Sequence, residues 1–373
     1  MSSSNSFLCT TCGNEYPLDS RDWRYKCGWL FDLRDRLPFD ASQIDTSQQG
    51  LWRYRRLLPL DPTWELVTLG GGDTPLLLLD SQGRKIHFKL EITCPTCSFK
   101  DRGASVLVTA MRGLGVERIV EDSSGNAGAS LAAYGARAGL ICEIFVPDLA
   151  AGSKLAQIAA YGAEVIQLKG KRECAALAAW AAAAHGAFYA SHVYNPFFLA
   201  GTETLAYELW EQFSHRAPGV LVVPVGNGTL LLGAYRGFRR LHQAGLIAWL
   251  PRLLAVQAKA CAPIYQAYRD GRDVVGPVAP TPTAARGIAI KQPARSEQIL
   301  AAIRATKGAV LTVAEEEIER TRNQLARQGF YVEETAAVAV AALTDLQKML
   351  PVTTGDPVAV PLTGHGLKTA AKL

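Results

Sequence analysis

The stretch Pro95-Thr96-Cys97-Ser98-Phe99-Lys100-Asp101-Arg102-Gly103 holds a lysine between an apolar residue and the start of an Ala-rich helical run. A lysine amine attacks carbonyls when burial lowers its pKa, so one pinned by Phe99 and packed backbone suits Schiff-base chemistry. An isolated Phe-Lys-Asp is more often a solvated surface lysine, and Lys100 gains weight only from three other segments. The first, Ser123-Ser124-Gly125-Asn126-Ala127-Gly128, places hydroxyls, amides and a carboxamide where anionic groups are favoured, although a plain helix cap explains it equally well. The second, Gly226-Asn227-Gly228-Thr229, reads as an anion cradle: glycines let backbone approach, and the Thr229 hydroxyl adds a donor. It lacks the lysine of a triphosphate loop. The third is Thr363-Gly364-His365-Gly366-Leu367-Lys368.

Each of these segments needs an element to hold it. Arg118 to Glu121 predicts a strand leading into the serine turn, with a helix from Ala127 to Ala138 behind it. Val220 to Val225 is continuously apolar, as in a strand buried on both faces, and a helix follows from Leu230. Pro357 to Leu362 predicts another buried strand, which puts Thr363 at a carboxyl end, where open α/β sheets bind ligands. Further strands are expected at 141–146, 164–168 and 252–256, and helices at 153–161, 172–185 and 315–327. This alternation predicts an α/β fold of doubly wound lobes, with parallel sheets flanked by helices. Gly271 to Thr283, rich in proline, predicts a long loop.

At 373 residues the chain exceeds one ordinary domain, so two lobes and a terminal arm are expected. A net charge of +5 without a basic run gives no argument for nucleic acid. The Ala-rich stretch Cys174 to His185 is too short to span a bilayer, so no membrane partner is expected. Eight irregularly spaced cysteines and a polar start without an apolar segment lead to the expectation of reduced thiols and a cytoplasmic location. Ser123 and Ser124 have no histidine nearby in sequence, which argues against a serine hydrolase.

Together these segments resemble the threonine synthase branch of the pyridoxal-phosphate enzymes of the tryptophan-synthase-β type (fold type II). The resemblance rests on the Cys-rich start, Leu51-Trp52-Arg53-Tyr54, Leu69 to Leu76, Lys89-Leu90-Glu91, the Lys100 run, the Ser123 to Gly128 loop, Val225 to Gly228, Pro251 to Ala258 and Thr363 to Lys368. It covers almost the whole chain. It implies pyridoxal 5'-phosphate as cofactor and Lys100 as the Schiff-base lysine that also moves substrate protons. Phe99 would help place the ring and Asn126 would face its 3-hydroxyl. Gly226, Asn227, Gly228 and Thr229 would hold the phosphate, and Thr363 would stand at the pyridine nitrogen, where a neutral hydroxyl limits charge build-up. Ser123 and Ser124 would face the substrate. By the same resemblance the substrate is an amino acid, O-phospho-L-homoserine, converted with water to L-threonine and phosphate. The protein would be a homodimer, with residues 1–48 as arm, 105–200 as the smaller mobile lobe, and 49–104 with 201–373 as the larger lobe.

The chain departs from the family pattern in four places. Phe198, in Asn195-Pro196-Phe197-Phe198, stands where an arginine for the substrate phosphate is expected, followed by Gly201-Thr202-Glu203-Thr204. Either another cation serves, with Lys154 and Arg286 as candidates, or the leaving group is smaller or uncharged. The second option keeps open a relative acting by elimination or replacement on another amino acid, such as a dehydratase, an O-phosphoserine sulfhydrylase or a cysteate-synthase analogue. A binding protein that has kept the fold and lost the chemistry is a third possibility, against which the intact Lys100 counts. Cys97 replaces a usual glycine and makes Cys94-Pro95-Thr96-Cys97, and Thr229-Leu230 closes the phosphate loop in place of Gly-Asn. In the arm, Cys9-Thr10-Thr11-Cys12-Gly13 and Cys27-Gly28 look like a zinc ribbon in which Arg24 takes one cysteine position. Three thiolates are one short of a closed tetrahedral site, so a degenerate ribbon without metal is expected, the alternative being zinc with a fourth ligand from elsewhere. His365, in a Gly-His-Gly turn, reads as a backbone-positioned neighbour of Thr363. Glu333 reads as a helix-entry carboxylate or a residue lining the cofactor cleft.

Overall fold

The computed structural model describes all residues except 1–5, 21, 25–26, 28–29, 35–38, 82–83, 149–151, 351–355 and 370–373. Three sheets organise the chain. The arm carries β1 (Ser6–Cys9), β2 (Glu15–Pro17) and β3 (Phe31–Leu33), antiparallel in the order β2-β1-β3. A six-stranded sheet contains β4 (Leu76–Ser81), β5 (Arg84–Lys89), β10 (Val220–Pro224), β11 (Arg252–Ala258), β12 (Ala309–Val313) and β13 (Val358–Pro361), in the order β12-β11-β10-β13-β5-β4. A four-stranded sheet contains β6 (Arg118–Glu121), β7 (Ile141–Pro147), β8 (Glu164–Leu168) and β9 (Phe188–Tyr189), in the order β8-β7-β6-β9. The helices are α1 (Lys100–Gly113), α2 (Asn126–Ala138), α3 (Ser153–Ala160), α4 (Arg172–Ala184), α5 (Pro196–Gln212), α6 (Thr229–Gln243), α7 (Pro263–Arg269), α8 (Ser296–Ala305), α9 (Glu315–Arg327), α10 (Glu334–Ala341) and α11 (Leu346–Met349).

The four-stranded sheet is parallel throughout, and so is the larger one apart from its edge strand β4. Two residues separate Ser81 from Arg84, a connection short enough only for antiparallel pairing. The parallel sheets flanked by helices that the sequence predicts are present; the antiparallel edge strand β4 and the arm's antiparallel sheet lie outside that pattern. β10 lies between β11 and β13 with every residue buried, which is why its run is apolar without alternation. The segment between Arg269 and Arg286 has no regular element, as its prolines predict.

What places the chemistry is the close stacking of α1, α5 and α6. Gly201 lets α5 press on α1: a Cβ there would overlap the Arg102 carbonyl. Across the same contact Arg102 is fully buried between two carboxylates, with Nη2 2.7 Å from Glu91 and Nη1 2.7 Å from Glu208, while Lys89 Nζ lies 2.8 Å from Glu208. Such a cluster survives burial because every charge has an opposite partner in hydrogen-bonding geometry. It locks the first turn of α1, and so the base of Lys100, onto β5 and α5.

Candidate active site

Lys100 opens α1, and the loop before it is stitched to the C-terminal segment. The Phe99 amide donates to the Thr363 carbonyl at 3.1 Å, and Ser98 forms a β-bridge with Gly364. Thr363 is thereby held beside the lysine turn, at the carboxyl end of β13. The lysine reaches across to the start of α6, where its Nζ donates to Thr229 Oγ1 at 3.3 Å. Phe99 and Phe198 flank the nitrogen, with ring centres 4.7 and 5.5 Å away. Gly228 precedes Thr229 with φ +73°, a left-handed turn that glycine adopts without strain, and it packs on Ile299. The turn delivers the N-terminal amides of α6 to the lysine's side of the cleft, an arrangement suited to an anion. Gly226 lies against Ile288, in the 3₁₀ turn Arg286–Ile288.

Asn126 occupies the first turn of α2. Its Nδ2 donates to Glu333 at 2.7 Å, and its Oδ1 is buried without a partner among the described residues. The same Glu333 carboxylate, at the entry to α10 and buried, takes Lys154 of α3 at 2.6 Å. Ser123 is buried, and its hydroxyl accepts from the Gly125 amide at 3.3 Å, which shapes the turn. At the C-terminal end, Lys368 Nζ donates to the Thr96 carbonyl and to Gln157 Oε1, both at 2.6 Å, tying this segment to the lysine loop and to α3.

The electrostatics favour a reactive amine. Burial lowers the pKa of Lys100 to about 7; Glu121 opposes this, and Arg172 adds to it. Glu121 ends β6, and its carboxyl is pushed well above the usual range by burial and by Asp122, with Lys100 and Arg172 pulling the other way. His192 Nδ1 lies 2.8 Å from Glu121 Oε1, and burial, followed by the charges of Lys100 and Arg172, holds the imidazole well below its ordinary pKa. Its ring centre is 5.8 Å from that of Phe198.

Of the residues expected from sequence, the chain brings Lys100, Phe99, Asn126, Gly226, Gly228, Thr229 and Thr363 into one region. Asn227 and Ser124 are half-buried in the same turns. Arg286 is exposed, and Lys154 is engaged by Glu333. Sequence reasoning missed Glu121, His192 and Arg172. Glu121 ends a strand on the binding edge of its sheet, which was a usable signal; His192 and Arg172 lie in no motif. Of the Cys94/Cys97 pair, Cys94 is buried and Cys97 half-buried, and neither joins a metal-competent group among the described residues. Cys97 takes φ +63°, the conformation that the usual glycine would adopt freely.

The model of the pyridoxal-phosphate dependent enzymes matches residues 67–364. The chain belongs to this family. It is 33% identical to the threonine synthase of Methanocaldococcus jannaschii, over 96% of this chain and 92% of that protein. It is 37% identical to the threonine synthase of Mycobacterium tuberculosis, over 84% of this chain and 87% of that protein. In structure it resembles the processed form of threonine deaminase isoform 2 from Solanum lycopersicum, with TM-score 0.69 and 19% identity over 89% of this chain and 95% of that one. The family makes this chain a pyridoxal-phosphate dependent lyase of fold type II.

The residues present fit the cofactor on three counts. A lysine with a lowered pKa stands in the cleft; a glycine-turned helix N-terminus lies within hydrogen-bonding reach of it; and the buried Asn126 Oδ1 lacks a partner. Among the described residues, no helix is long and apolar enough to cross a membrane.

Proposed function

We propose that this enzyme converts O-phospho-L-homoserine and water to L-threonine and phosphate, with Lys100 as the covalent attachment point of pyridoxal phosphate. The observation that carries this reading is Lys100, depressed to about pKa 7 and bonded to Thr229 at the start of α6, in a chain whose relatives are named threonine synthase. When bound, the cofactor supplies an electron sink that makes substrate carbon acids strong enough to lose protons. The chain's residues do the rest. Lys100, divided between its neutral and charged forms near pH 7, accepts and returns protons at the substrate carbons as base and acid in turn. Thr229, with Gly226, Asn227 and Gly228, binds the cofactor phosphate; Asn126 faces the 3-hydroxyl, and Thr363 gives the ring nitrogen a neutral partner. Ser123 and Ser124 bind the substrate carboxylate. Lys154 holds Glu333 against Asn126, so it fixes the cleft wall rather than taking the substrate phosphate. Arg172, exposed like Arg286, joins it as a candidate for that role, because its charge is felt at Lys100, Glu121 and His192.

A second reading has a specific observation behind it. Phe198, 2% exposed, is held by the Asn195 cap of α5 and packed onto Gly103, so an aromatic wall stands where the family's phosphate arginine is expected. Such a wall favours an uncharged leaving group on another amino acid. We further propose a cytoplasmic homodimer in which residues 105–200 move as the smaller lobe against 49–104 with 201–373. Phosphate release and amino-acid products from O-phosphohomoserine, O-phosphoserine, O-acetylated analogues and threonine separate the two readings. Threonine from the first substrate, with turnover lost in Arg172→Ala, supports the leading one; turnover of another substrate alone removes it.

A further inference from the structure

The arm lies before residue 67 and outside the family match, and it contains a cluster that the cofactor chemistry does not use. The sulfurs of Cys9, Cys12 and Cys27 all lie within 4.8 Å of one another, with Cys9 and Cys27 3.6 Å apart. The turn that brings them together is tight: the Gly13 amide donates to the Cys9 carbonyl at 3.1 Å, and Gly13 takes φ +71°. The fourth sequence position, Arg24, has been drawn away: its guanidinium lies 4.4 Å over the Trp23 ring and 5.1 Å from that of Trp180.

We propose that Cys9, Cys12 and Cys27 bind one zinc ion, with water in the fourth position, and that this site clasps the arm across the enzyme. On binding, the three thiols give their protons to solvent as three sulfur–zinc bonds form, and no oxidant or reductant takes part. Water completes the tetrahedron because Cys12 and Cys27 are exposed while Cys9 is buried. The clasp has a mechanical role because Cys27 lies midway between two anchors. On one side, Trp23 stacks on Trp180 of α4 at 5.5 Å and meets Tyr189 of β9 edge-on at 4.9 Å. On the other, Arg295 donates to the Phe31 carbonyl at 2.9 Å and Arg236 meets Asp32 at 2.5 Å. The first anchor holds the arm to the four-stranded sheet and its helices, the second to the helices of the six-stranded sheet. Tying Cys27 to β1 fixes the spacing between them.

The test is metal analysis of the full-length holoenzyme, purified reduced, together with alkylation mapped by mass spectrometry. One zinc per chain is expected, with Cys12 and Cys27 protected from alkylation until a chelator is added and the exposed Cys174 labelled throughout. Cobalt exchanged into the site should show intense sulfur-to-metal charge-transfer absorption. Cys9→Ser/Cys12→Ser/Cys27→Ser should lose the metal while keeping the pyridoxal-phosphate absorbance, which separates loss of the site from loss of the fold. If the triple variant does not fold, the chelator arm on the wild-type protein decides. Reduced protein that takes up neither zinc nor cobalt, or that alkylates Cys12 and Cys27 as readily as Cys174, overturns the proposal. So does a Cys9–Cys27 disulfide as the resting state.

Discussion

Asn126 and Glu333 meet across the cleft, with the amide nitrogen 2.7 Å from the carboxylate, although α2 belongs to the four-stranded sheet and Glu333 leads into a helix packed on the six-stranded one. Gly364 lies so close that a Cβ there would overlap the Glu333 carboxylate. Glu333→Gln gives up the Lys154 ion pair and weakens the hold on Asn126. Charge-assisted hydrogen bonds contribute about 1.5–3 kcal/mol, so cofactor affinity should fall roughly tenfold or more. Fluorescence titration of the apoenzyme checks this; unchanged affinity in both Glu333→Gln and Gly364→Ala would remove Glu333 from the site.

Lys100 predicts a pH signature. An amine with a pKa of about 7 is increasingly neutral as pH rises through that value, so cofactor recombination with apoenzyme should accelerate through pH 7 and level off above it. Glu121 raises this pKa, so Glu121→Gln should move the midpoint to lower pH. A midpoint near 10, or a shift to higher pH in the variant, would contradict the account.

The same burial costs stability in the apoenzyme. Below pH 7 the buried ammonium is charged and poorly solvated; between about 7 and 10.5 the unfolded chain binds the extra proton, so wild-type stability rises with pH. Lys100→Met should therefore stabilise the apoenzyme by a few kcal/mol at pH 6, at about 1.4 kcal/mol per pKa unit, and the gain should fade toward pH 10. Denaturant midpoints at a series of pH values measure it.

Arg102 carries the largest structural stake. Arg102→Met leaves Glu91 and Glu208 buried with too little positive charge, a change that typically costs about 3–5 kcal/mol. A drop in melting temperature of only a degree or two would show that the cluster is not what fixes α1.

Cys97 offers a stabilising change. A non-glycine residue in the left-handed region costs about 1–2 kcal/mol, part of which glycine returns as entropy in the unfolded chain. Cys97→Gly should raise stability by about 0.5–1 kcal/mol without altering the cofactor spectrum.

The alternation of strands and helices was legible because its signals are local: an apolar run for β10, a glycine turn before α6, and a lysine between Phe99 and an Ala-rich helix. Strands β6 and β8 and helix α9 have the bounds that their sequences predict. The Glu121–His192 pair was not legible, since it joins a strand end to a loop distant in sequence and neither residue sits in a motif. Nor was Arg24's displacement, which depends on Trp180 arriving from α4. The antiparallel edge at β4 follows from the short link to β5, a turn signal outweighed by the general α/β pattern.

Borohydride reduction of the cofactor-loaded enzyme, followed by peptide mapping, tests the central claim most directly. The account predicts one pyridoxyl group per chain, on Lys100, and no absorbance band at the blue edge of the visible in Lys100→Ala. A label on the buried Lys89 or Lys368 instead, or a chain that takes up no cofactor, would contradict it.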